Sequence, residues 1–307
     1  TKAKPTPMQG LPKGFTWQID GVAIEYGIPP CATKEEWIKA HETALTFIRH
    51  NVDNEQFQLA LDVSAEFSDE YLAIPGARVA GCEVDYNAWL QETNPKVSLE
   101  ETNLRCTGGH VHISFDDGQN IETCEKLIKT FDLFLTLPSV LLESDRERRK
   151  LYGKAGSFRF GKSYSGVEAR ALSNFWITSP ELIGWVYDQT QAAINFINEG
   201  KKINEEDEFI IQAGINDYNE DFEEYDLDEY EVYERAHEIA KNGGVTILRD
   251  KHLISVLVDL EEKKVIGALW VSQDHDKFSF DIALDSGYQN MGLSSNLIKA
   301  AISEYEM

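Results

Sequence analysis

Residues 152–176, YGKAGSFRFGKSYSGVEARALSNFW, decide the predicted fold and much of the predicted chemistry. Apolar and charged residues alternate over residues 167–171, which is the two-residue period of a β-strand. This period places Glu168 and Arg170 on the same face. A carboxylate is a preferred ligand of Mg²⁺, and a guanidinium binds phosphate oxygens. The stretch therefore predicts a strand with a polar face suited to phosphate and metal.

Basic residues are concentrated just before and within this stretch, at Arg148, Arg149, Lys154 and Arg159. The whole chain has 53 acidic residues against 29 lysines and arginines, and its formal net charge is −24. Because such a chain has no global positive field, any anionic ligand must be held by local cations. We expect this cluster to bind a phosphate or a carboxylate.

A second predicted strand lies at residues 108–114, GGHVHIS. Strand alternation sends His110, His112 and Ser114 to one face and the intervening apolar residues to the core. The two preceding glycines offer backbone that a phosphate or substrate can approach closely. Taken alone, a histidine pair on a strand is more often structural than catalytic. An isolated Glu-x-Arg pair is usually a surface ion pair, which contributes ~0–1 kcal/mol to stability. Their coincidence with a cation cluster favours phosphoryl chemistry, in which the charge of the transferred group must be neutralised.

Two further segments carry acidic residues. In residues 81–87, GCEVDYN, the strand period puts Glu83, Asp85 and Asn87 on one face, an oxygen-rich edge suited to Mg²⁺. Asp20 and Glu25 lie five residues apart in a predicted strand over residues 17–28, so a regular strand would put them on opposite faces. They can share a metal only if Gly21 introduces a bulge or Asp20 lies at the entry of the strand.

Composition excludes several classes of protein. The acidic balance, with a pI near 4.6, disfavours generic binding to nucleic acid or to an anionic membrane. The longest apolar stretch, residues 127–142, contains Lys129, Asp132 and Pro138 and is shorter than the ~20 residues of a membrane span, so it predicts a core helix. The cysteines form no CxxC pair, which favours reduced thiols in a cytoplasm. They are Cys31, Cys82, Cys106 and Cys124.

The chain is predicted to have three parts: residues 1–204 with strands and helices, an acidic and partly helical linker at residues 205–243, and a smaller α/β domain at residues 244–307. Capping signals begin helices at Thr33 and at Ser179. In the last part, residues 253–259, 265–272 and 278–285 predict a three-stranded meander followed by a helix. The chain starts with Thr1 and ends within a helical pattern, so we expect a piece of a longer protein.

Three of these segments, GCEVDYNAW, LRCTGGHVHIS and residues 152–176, together resemble the phage-type COOH-NH2 ligases, or amidoligases, of the glutamine synthetase and glutamate-cysteine ligase superfamily. The resemblance covers roughly residues 15–200. It implies an α+β fold with a curved, glutamine synthetase-like antiparallel sheet and flanking helices. It also implies ATP and Mg²⁺ as cofactors, with carboxylate and amine substrates that are small molecules or peptides.

The resemblance implies roles for individual residues. Arg170, Arg159, Lys154 and His110 are the expected catalytic residues, and we also expect His112, Arg149 and Ser173 to contact the nucleotide. The expected metal ligands are Asp20, Glu25, Glu83, Asp85, His110 and Glu168. The family begins with a strand that carries a further acidic pair, whereas residues 1–15 here contain no Asp or Glu.

A second resemblance concerns residues 278–295. A strand followed by Gln289, Gly292 and Ser294 resembles the pyrophosphate loop of a GNAT acetyltransferase, where helix amides hold coenzyme A. It implies a partial GNAT-like domain, with acetyl-CoA as a ligand only in a complete domain.

Two other functions compete with the ligase hypothesis. One is a metal-dependent hydrolase that uses His110 and His112 as ligands. The other is an inactive ligase fold that serves as a binding or structural phage protein, associated with a phage particle instead of the cytoplasm of an infected host.

Overall fold

The structure, a computed structural model, has two compact units, Thr1–Thr246 and Ile247–Met307. The described residues are 4–53, 56–73, 76–78, 84–143, 145, 147–216, 253–259, 264–274 and 277–284.

The first unit begins with a three-stranded antiparallel sheet, β1 (Thr6–Pro7), β2 (Thr16–Asp20) and β3 (Ala23–Gly27), in the order β1-β2-β3. Residues 17–28 are therefore a hairpin and not the single strand that was predicted. Its turn contains Gly21, whose φ of 62° is in the left-handed region that glycine adopts without strain.

Helix α1 (Lys34–Val52) packs against this sheet. Its predicted capping box is confirmed, because the Thr33 side chain accepts from the backbone N–H of Glu36 and the Glu36 side chain accepts in return. The buried face of the helix has the three- and four-residue spacing of an amphipathic helix, with Ala40, Ala44 and Ile48 packed against apolar residues of the first sheet. Burial of each large aliphatic side chain contributes about 1.5–3 kcal/mol to this packing.

A five-stranded antiparallel sheet forms the centre of the first unit. Its strands are β5 (Tyr86–Asn87), β6 (Glu92–Thr93), β8 (Val111–Ser114), β9 (Ser157–Phe160) and β10 (Gly166–Ala169). They lie in the order β6-β5-β9-β10-β8. A separate two-stranded sheet joins β4 (Ser64–Glu66) to β7 (Leu104–Cys106), and the short helix α2 (Asp69–Leu72) follows β4.

Helices cover one face of the central sheet. The predicted core helix over residues 127–142 is confirmed as buried, but it consists of α3 (Ile121–Phe131), a π-helical segment (Asp132–Thr136) and α4 (Leu137–Leu142). Single-turn 3₁₀ segments follow at Glu147–Lys150 and Phe175–Thr178. Helix α5 (Pro180–Asn198) has the predicted Ser179 cap and is followed by Gly200 with a φ of 73°.

Helix α6 (Glu205–Asn216) occupies the start of the predicted linker. Its Ile211 and Ile215 side chains are buried, and the Asn216 side chain accepts a hydrogen bond from the Ala155 backbone. This segment is therefore packed into the first unit. Residues 217–243, the rest of the predicted linker, lie outside the described residues.

The described part of the second unit is an antiparallel meander of β11 (Leu253–Asp259), β12 (Lys264–Asp274) and β13 (Lys277–Leu284). The three predicted strands are thus confirmed. The predicted coenzyme A loop with Gln289, Gly292 and Ser294 lies outside the described residues. The mixture of antiparallel sheets and helices is that of an α+β protein. Among the described residues, no helix is long and apolar enough to cross a membrane.

Candidate active site

The central sheet has one apolar face and one polar face. Phe158 and Val167 are fully buried on the apolar face. On the polar face, Glu168 of β10 lies directly opposite Arg159 of β9 on one side and His112 of β8 on the other. Directly paired residues of antiparallel strands project to the same face, so these three side chains form a row across the sheet. The predicted strand alternation in both histidine and Glu-x-Arg segments is confirmed.

His110, Glu168 and Arg170 contact one another at one end of this row. His110 Nδ1 lies 3.1 Å from Glu168 Oε1, and Arg170 Nη1 donates to the same oxygen. Arg170 Nη1 also lies 3.3 Å from His110 Nδ1, and its Nε lies 3.3 Å from Asp85 Oδ2. Arg170 is thus held between two carboxylates, with only 6% of its side chain exposed.

Glu168 is ionised in this arrangement. Burial by itself would raise the pKa of Glu168, but the hydrogen bond from His110 and the positive charge of Arg170 together hold this pKa well below its ordinary value. The carboxylate therefore remains available as an anionic ligand across the physiological pH range.

The contacts of Tyr164 define the tautomer of His112. The Tyr164 hydroxyl donates to the Val167 carbonyl at 3.0 Å, and it lies 2.8 Å from His112 Nδ1. Because a hydroxyl has a single hydrogen, it must accept from an Nδ1–H of His112. Partial desolvation also lowers the pKa of His112, which favours the neutral ring. The Nε2 atom of His112 then carries a lone pair.

His110 has the same pattern. Burial lowers the pKa of His110 to about 4, so the ring is neutral near pH 7. Its Nδ1–H donates to Glu168, which leaves the lone pair on Nε2.

The glycine pair before His110 is required by close contacts. A Cβ atom at Gly108 would come to 2.7 Å from Nε2 of His110, so only glycine leaves the approach to this atom open. Position 109 requires glycine for a different reason, since a Cβ atom there would be 2.3 Å from the Ser173 carbonyl oxygen and 2.3 Å from the Trp176 ring nitrogen. The expected approach of a ligand to this glycine pair thus applies to Gly108, while Gly109 is explained by packing.

Three of these groups are able to hold a metal ion. One ligand atom from each of His110, His112 and Glu168 lies within 4.8 Å of the others. Among the described residues, these three form a cluster of histidine and acidic side chains close enough together to bind one ion. Under the ligase hypothesis His110 and Glu168 were predicted as metal ligands and His112 as a contact of the nucleotide, whereas the hydrolase hypothesis had His112 as a metal ligand. Two imidazole nitrogens and a carboxylate suit Mn²⁺ or Zn²⁺ at least as well as Mg²⁺, which prefers oxygen.

The other predicted metal ligands lie apart from this group. Asp85 is paired with Arg170, and Glu83 lies outside the described residues. Asp20 and Glu25 are on different strands of the hairpin, where Gln18 faces Glu25 and Asp20 faces Ala23. Both carboxylates therefore project to the same face. A regular strand over residues 17–28 would have put them on opposite faces, and the turn at Gly21 removes this obstacle to a shared metal. The negative charge of Glu25 acts on the pKa of His112, so this hairpin face lies near the polar face of the sheet.

A cavity of about 2280 Å³ is lined by His110, His112, Glu168 and Arg170. Among the described residues, nine lysines and arginines line it against five acidic residues, the reverse of the balance in the whole chain. The cations are Lys4, Lys96, Arg105, Arg148, Lys150, Lys154, Arg159, Lys162 and Arg170. The acids are Asp20, Glu25, Asp62, Asp85 and Glu168. The cavity is therefore suited to anionic ligands in spite of the net charge.

The predicted cation cluster separates into two groups. Lys154 is exposed and Arg159 half-buried, and both line the cavity. Arg148 is buried and donates to the backbone carbonyls of Arg170, Ala171 and Leu172, so it fixes the backbone that carries Arg170.

Arg149 and Ser173, both predicted to contact the nucleotide, do not line the cavity. Arg149 pairs with Glu143 at 3.2 Å in the core, and the buried Ser173 hydroxyl accepts from the Phe175 backbone. Burial gives both residues structural roles, because a buried guanidinium requires a carboxylate partner and a buried hydroxyl a hydrogen bond.

Sequence reasoning missed two residues of this region. Tyr164 lies in the turn between β9 and β10, where no periodic pattern in the sequence indicates the direction in which a side chain projects. Asp132 is buried behind the sheet, and its Oδ2 accepts from Trp89 Nε1 and from the Gly156 backbone, both at 2.6 Å. Burial raises the pKa of Asp132 to about 6, against the opposing effect of its hydrogen bonds. The sequence signal that could have identified Asp132 as a buried acid was its position within an otherwise apolar helix.

Part of the chain matches a known protein family. Residues 100–217 match the family model described as "Phage phiEco32-like COOH.NH2 ligase-type 2", which covers less than half of the chain. Neither the curated proteins nor the solved structures contain a match. The segment that carries His110, His112, Glu168 and Arg170 is therefore similar to a phage-type carboxylate-amine ligase family.

Proposed function

We propose that this protein is an ATP-dependent carboxylate-amine ligase that forms an amide through an acyl phosphate. The observation that carries the proposal is the contact of an ionised Glu168 with Arg170 and neutral His110 at the wall of a cation-lined cavity. This contact lies in the segment that is similar to the ligase family. The proposal includes a glutamine synthetase-like fold for the first unit, which the antiparallel sheet with helices on one face supports.

A divalent cation fits the residues present. His110, His112 and Glu168 would hold it, since both imidazoles have a tautomer that leaves Nε2 free and the carboxylate is ionised. A bound cation would neutralise charge on the phosphates of the nucleotide. The hydrogen bonds of His112 to Tyr164 and of His110 to Glu168 orient the two rings, as metal-binding histidines require.

The reaction needs no nucleophilic side chain. An oxygen of the substrate carboxylate attacks the γ-phosphorus of ATP, the bond to the β,γ-bridging oxygen breaks, and ADP leaves. The amine nitrogen then attacks the acyl carbon, inorganic phosphate leaves, and the amine proton is lost to solvent. Arg170, held rigid by Glu168 and Asp85, is in position to neutralise charge on the transferred phosphoryl group. Arg159 and Lys154 supply further positive charge on the cavity wall.

The experiment is a coupled assay of ADP release with Mg²⁺ or Mn²⁺ against a panel of carboxylates and amines. We expect ADP release that depends on both substrates, together with hydroxamate formation when hydroxylamine replaces the amine. Arg170→Lys should reduce turnover at least 100-fold because the lysine lacks the planar fork that both carboxylates bind. Arg49→Lys, on an exposed face of α1, is the matched control. Wild-type turnover in Arg170→Lys would contradict the role of Arg170.

A metal-dependent hydrolase is the second candidate, because two histidines with one glutamate are also the ligand set of catalytic zinc sites. This function does not explain the excess of cations around the cavity. Zn²⁺-dependent hydrolysis with no effect of ATP on melting temperature or activity would favour it over the ligase. The GNAT-like assignment of the second unit remains a proposal supported by its three-stranded meander alone.

A further inference from the structure

The hairpin of β5 and β6 brings Asn94 beside Asp85, the carboxylate that contacts Arg170. Tyr86 faces Thr93 in this hairpin, so Asp85 and Asn94 are the next pair beyond the ends of its two strands. The Asn94 backbone N–H donates to the Asp85 carbonyl at 2.9 Å, which extends the pairing to these two residues. Directly opposed residues of antiparallel strands project to the same face, so their side chains are neighbours.

The Asp85 carboxylate uses its two oxygens for different partners. Its Oδ1 accepts from Asn94 Nδ2 at 2.9 Å, and its Oδ2 accepts from Arg170 Nε at 3.3 Å. Rotation of the carboxylate about its bond to the Cβ atom would break both contacts. Asn94 therefore fixes the plane of the carboxylate, and the carboxylate in turn fixes the guanidinium of Arg170.

The side-chain amide of Asn94 has a defined orientation. Asn87 is 4% exposed, and its Oδ1 accepts from two backbone N–H groups of the hairpin turn, so its Nδ2 must be the group that faces Asn94. This Nδ2 donates to Asn94 Oδ1 at 3.2 Å. Asn94 Nδ2 then donates to Asp85 and, at 3.1 Å, to Ser157 Oγ, so both of its hydrogens are used.

The other carboxylate partner of Arg170 is shared. Glu168 Oε1 also contacts His110, and Glu168 belongs to the candidate metal cluster. Asp85 is not a member of this cluster among the described residues, so a bound metal ion would compete with Arg170 for Glu168 and not for Asp85. The contact with Asp85 is therefore the one that keeps the guanidinium in place when a metal is bound. Its precision matters, because a displacement of about 1 Å costs about 100-fold in rate.

We propose that Asn94 is a positioning residue of the ligase reaction, which acts through Asp85 to hold Arg170 where the phosphoryl group is transferred. Asn94 lines the cavity together with Asp85 and Arg170. This inference rests on the proposed ligase function, because that function gives Arg170 its role. A direct contact between Asn94 and a substrate would have a different kinetic effect.

A matched arrangement at an exposed position supplies the control. Asn103 Nδ2 lies 3.5 Å from Asp69 Oδ1, and Arg78 Nη2 donates to the same oxygen at 2.6 Å. The Asp69 side chain is 84% exposed, and these three residues are not part of the cavity lining. Asn103→Ala therefore removes an asparagine from an Asn–Asp–Arg set that has no part in the proposed reaction.

The first experiment compares steady-state ADP release by the wild type, Asn94→Ala and Asn103→Ala. We expect kcat to fall about 10-fold or more in Asn94→Ala with unchanged KM for ATP and both substrates, because the substrates still bind while Arg170 is displaced. Asn103→Ala should have the kcat of the wild type. A wild-type kcat in Asn94→Ala would overturn the proposal. A raised KM at unchanged kcat would overturn it as well, since that is the effect of a direct substrate contact.

An exchange of the two side chains tests the hydrogen bond itself. In Asp85→Asn, the new amide oxygen is able to accept from Arg170 only if the new Nδ2 faces the Nδ2 of Asn94. Adding Asn94→Asp supplies an acceptor for that nitrogen, so the double variant restores the bond with donor and acceptor exchanged. We expect the double variant to turn over about 10-fold faster than Asp85→Asn. Equal or slower turnover would overturn the proposal, even if Asn94→Ala does not fold.

A measurement without turnover separates this proposal from the ligase function. The Nε–H proton of Arg170, assigned by the loss of its resonance in Arg170→Lys, should exchange with solvent about 10-fold faster in Asn94→Ala than in the wild type. The exchange rate in Asn103→Ala should be that of the wild type. This test stands even if the wild type releases no ADP, and an unchanged rate in Asn94→Ala would overturn the proposal. Conversely, equal substrate-dependent ADP release by the wild type and Asn94→Ala would leave the ligase function intact and remove the role of Asn94.

Discussion

His112 donates its Nδ1–H to the hydroxyl of Tyr164 over 2.8 Å, which turns the lone pair on Nε2 toward any ligand in the cavity. Tyr164→Phe removes this bond without changing the size of the ring. We expect Mn²⁺ affinity to fall 10–100-fold, as is typical when the partner of a metal-binding histidine is lost. Calorimetry with Mn²⁺ tests this, and Tyr187→Phe, whose hydroxyl bonds instead to the Ala32 carbonyl, should bind like the wild type. Unchanged affinity in Tyr164→Phe would remove His112 from the metal site.

Gly108→Ala tests the open approach to His110. The new methyl group would lie 2.7 Å from Nε2 of His110, so the imidazole must turn away or its lone pair becomes blocked. We expect loss of metal binding and a drop in ligase turnover of at least tenfold, with a melting temperature close to that of the wild type. Gly184→Ala is the control, because its methyl group meets only the ends of two side chains away from the cavity cluster, Lys34 at 2.7 Å and Ile38 at 3.3 Å. Metal binding as tight as that of the wild type in Gly108→Ala would show that His110 does not bind the metal through its Nε2 atom.

Glu168→Gln tests the ionised carboxylate through the pH dependence of stability. The pKa of Glu168 is lower in the folded protein than its ordinary value of 4.5, so its ionisation stabilises the fold above pH 4.5 and this contribution is lost as pH falls below that value. The difference in unfolding free energy between wild type and Glu168→Gln should therefore shrink from pH 7 toward pH 3. Denaturant titrations at several pH values measure it, and a difference independent of pH would contradict the assignment.

Asp132→Asn should have the opposite dependence. The folded pKa of Asp132, about 6, is above its ordinary value of 3.8, so wild-type stability contributed by the protonated form is complete below pH 3.8 and is lost as pH rises through 6. The asparagine oxygen is still able to accept from Trp89 and Gly156. At pH 8 we expect the variant to be more stable than the wild type by up to about 3 kcal/mol, with no advantage at pH 3. Greater stability of the wild type at pH 8 would mean that the charged carboxylate is favoured at this position.

The sequence was sufficient for those parts of the site that follow from local periodicity. His110 with His112, and Glu168 with Arg170, were correctly assigned to a shared face of their own strand because a strand repeats every two residues, and the pairing of the two strands then joins these faces. Periodicity alone was insufficient for Asp20 and Glu25, because the turn at Gly21 converts one apparent strand into a hairpin.

Charge and hydroxyl content were less informative than periodicity. Arg149 was interpreted as a ligand-binding cation, yet its partner is Glu143, the buried residue that follows the last residue of α4. The hydroxyl of Tyr164 reaches His112 only through a turn, so its role depends on tertiary structure. Whether a charged or polar side chain serves the core or the cavity is a property of packing and leaves no local signature in the sequence.

The π-helical segment Asp132–Thr136 has a consequence for how the chain tolerates changes in length. A π turn contains one residue more than an α turn, and here the wider turn begins at the residue whose carboxylate joins Trp89 to the Gly156 loop. Deleting one residue within this segment would restore α-helical geometry and leave α3 and α4 in register, whereas deleting one residue from an α-helical part would rotate one side of the helix by about 100° relative to the other. Deleting Asp132 itself would also remove the acceptor that joins Trp89, which follows β5, to Gly156, which precedes β9. The helix behind the central sheet is therefore expected to tolerate a change in length within residues 133–136 better than elsewhere along its course.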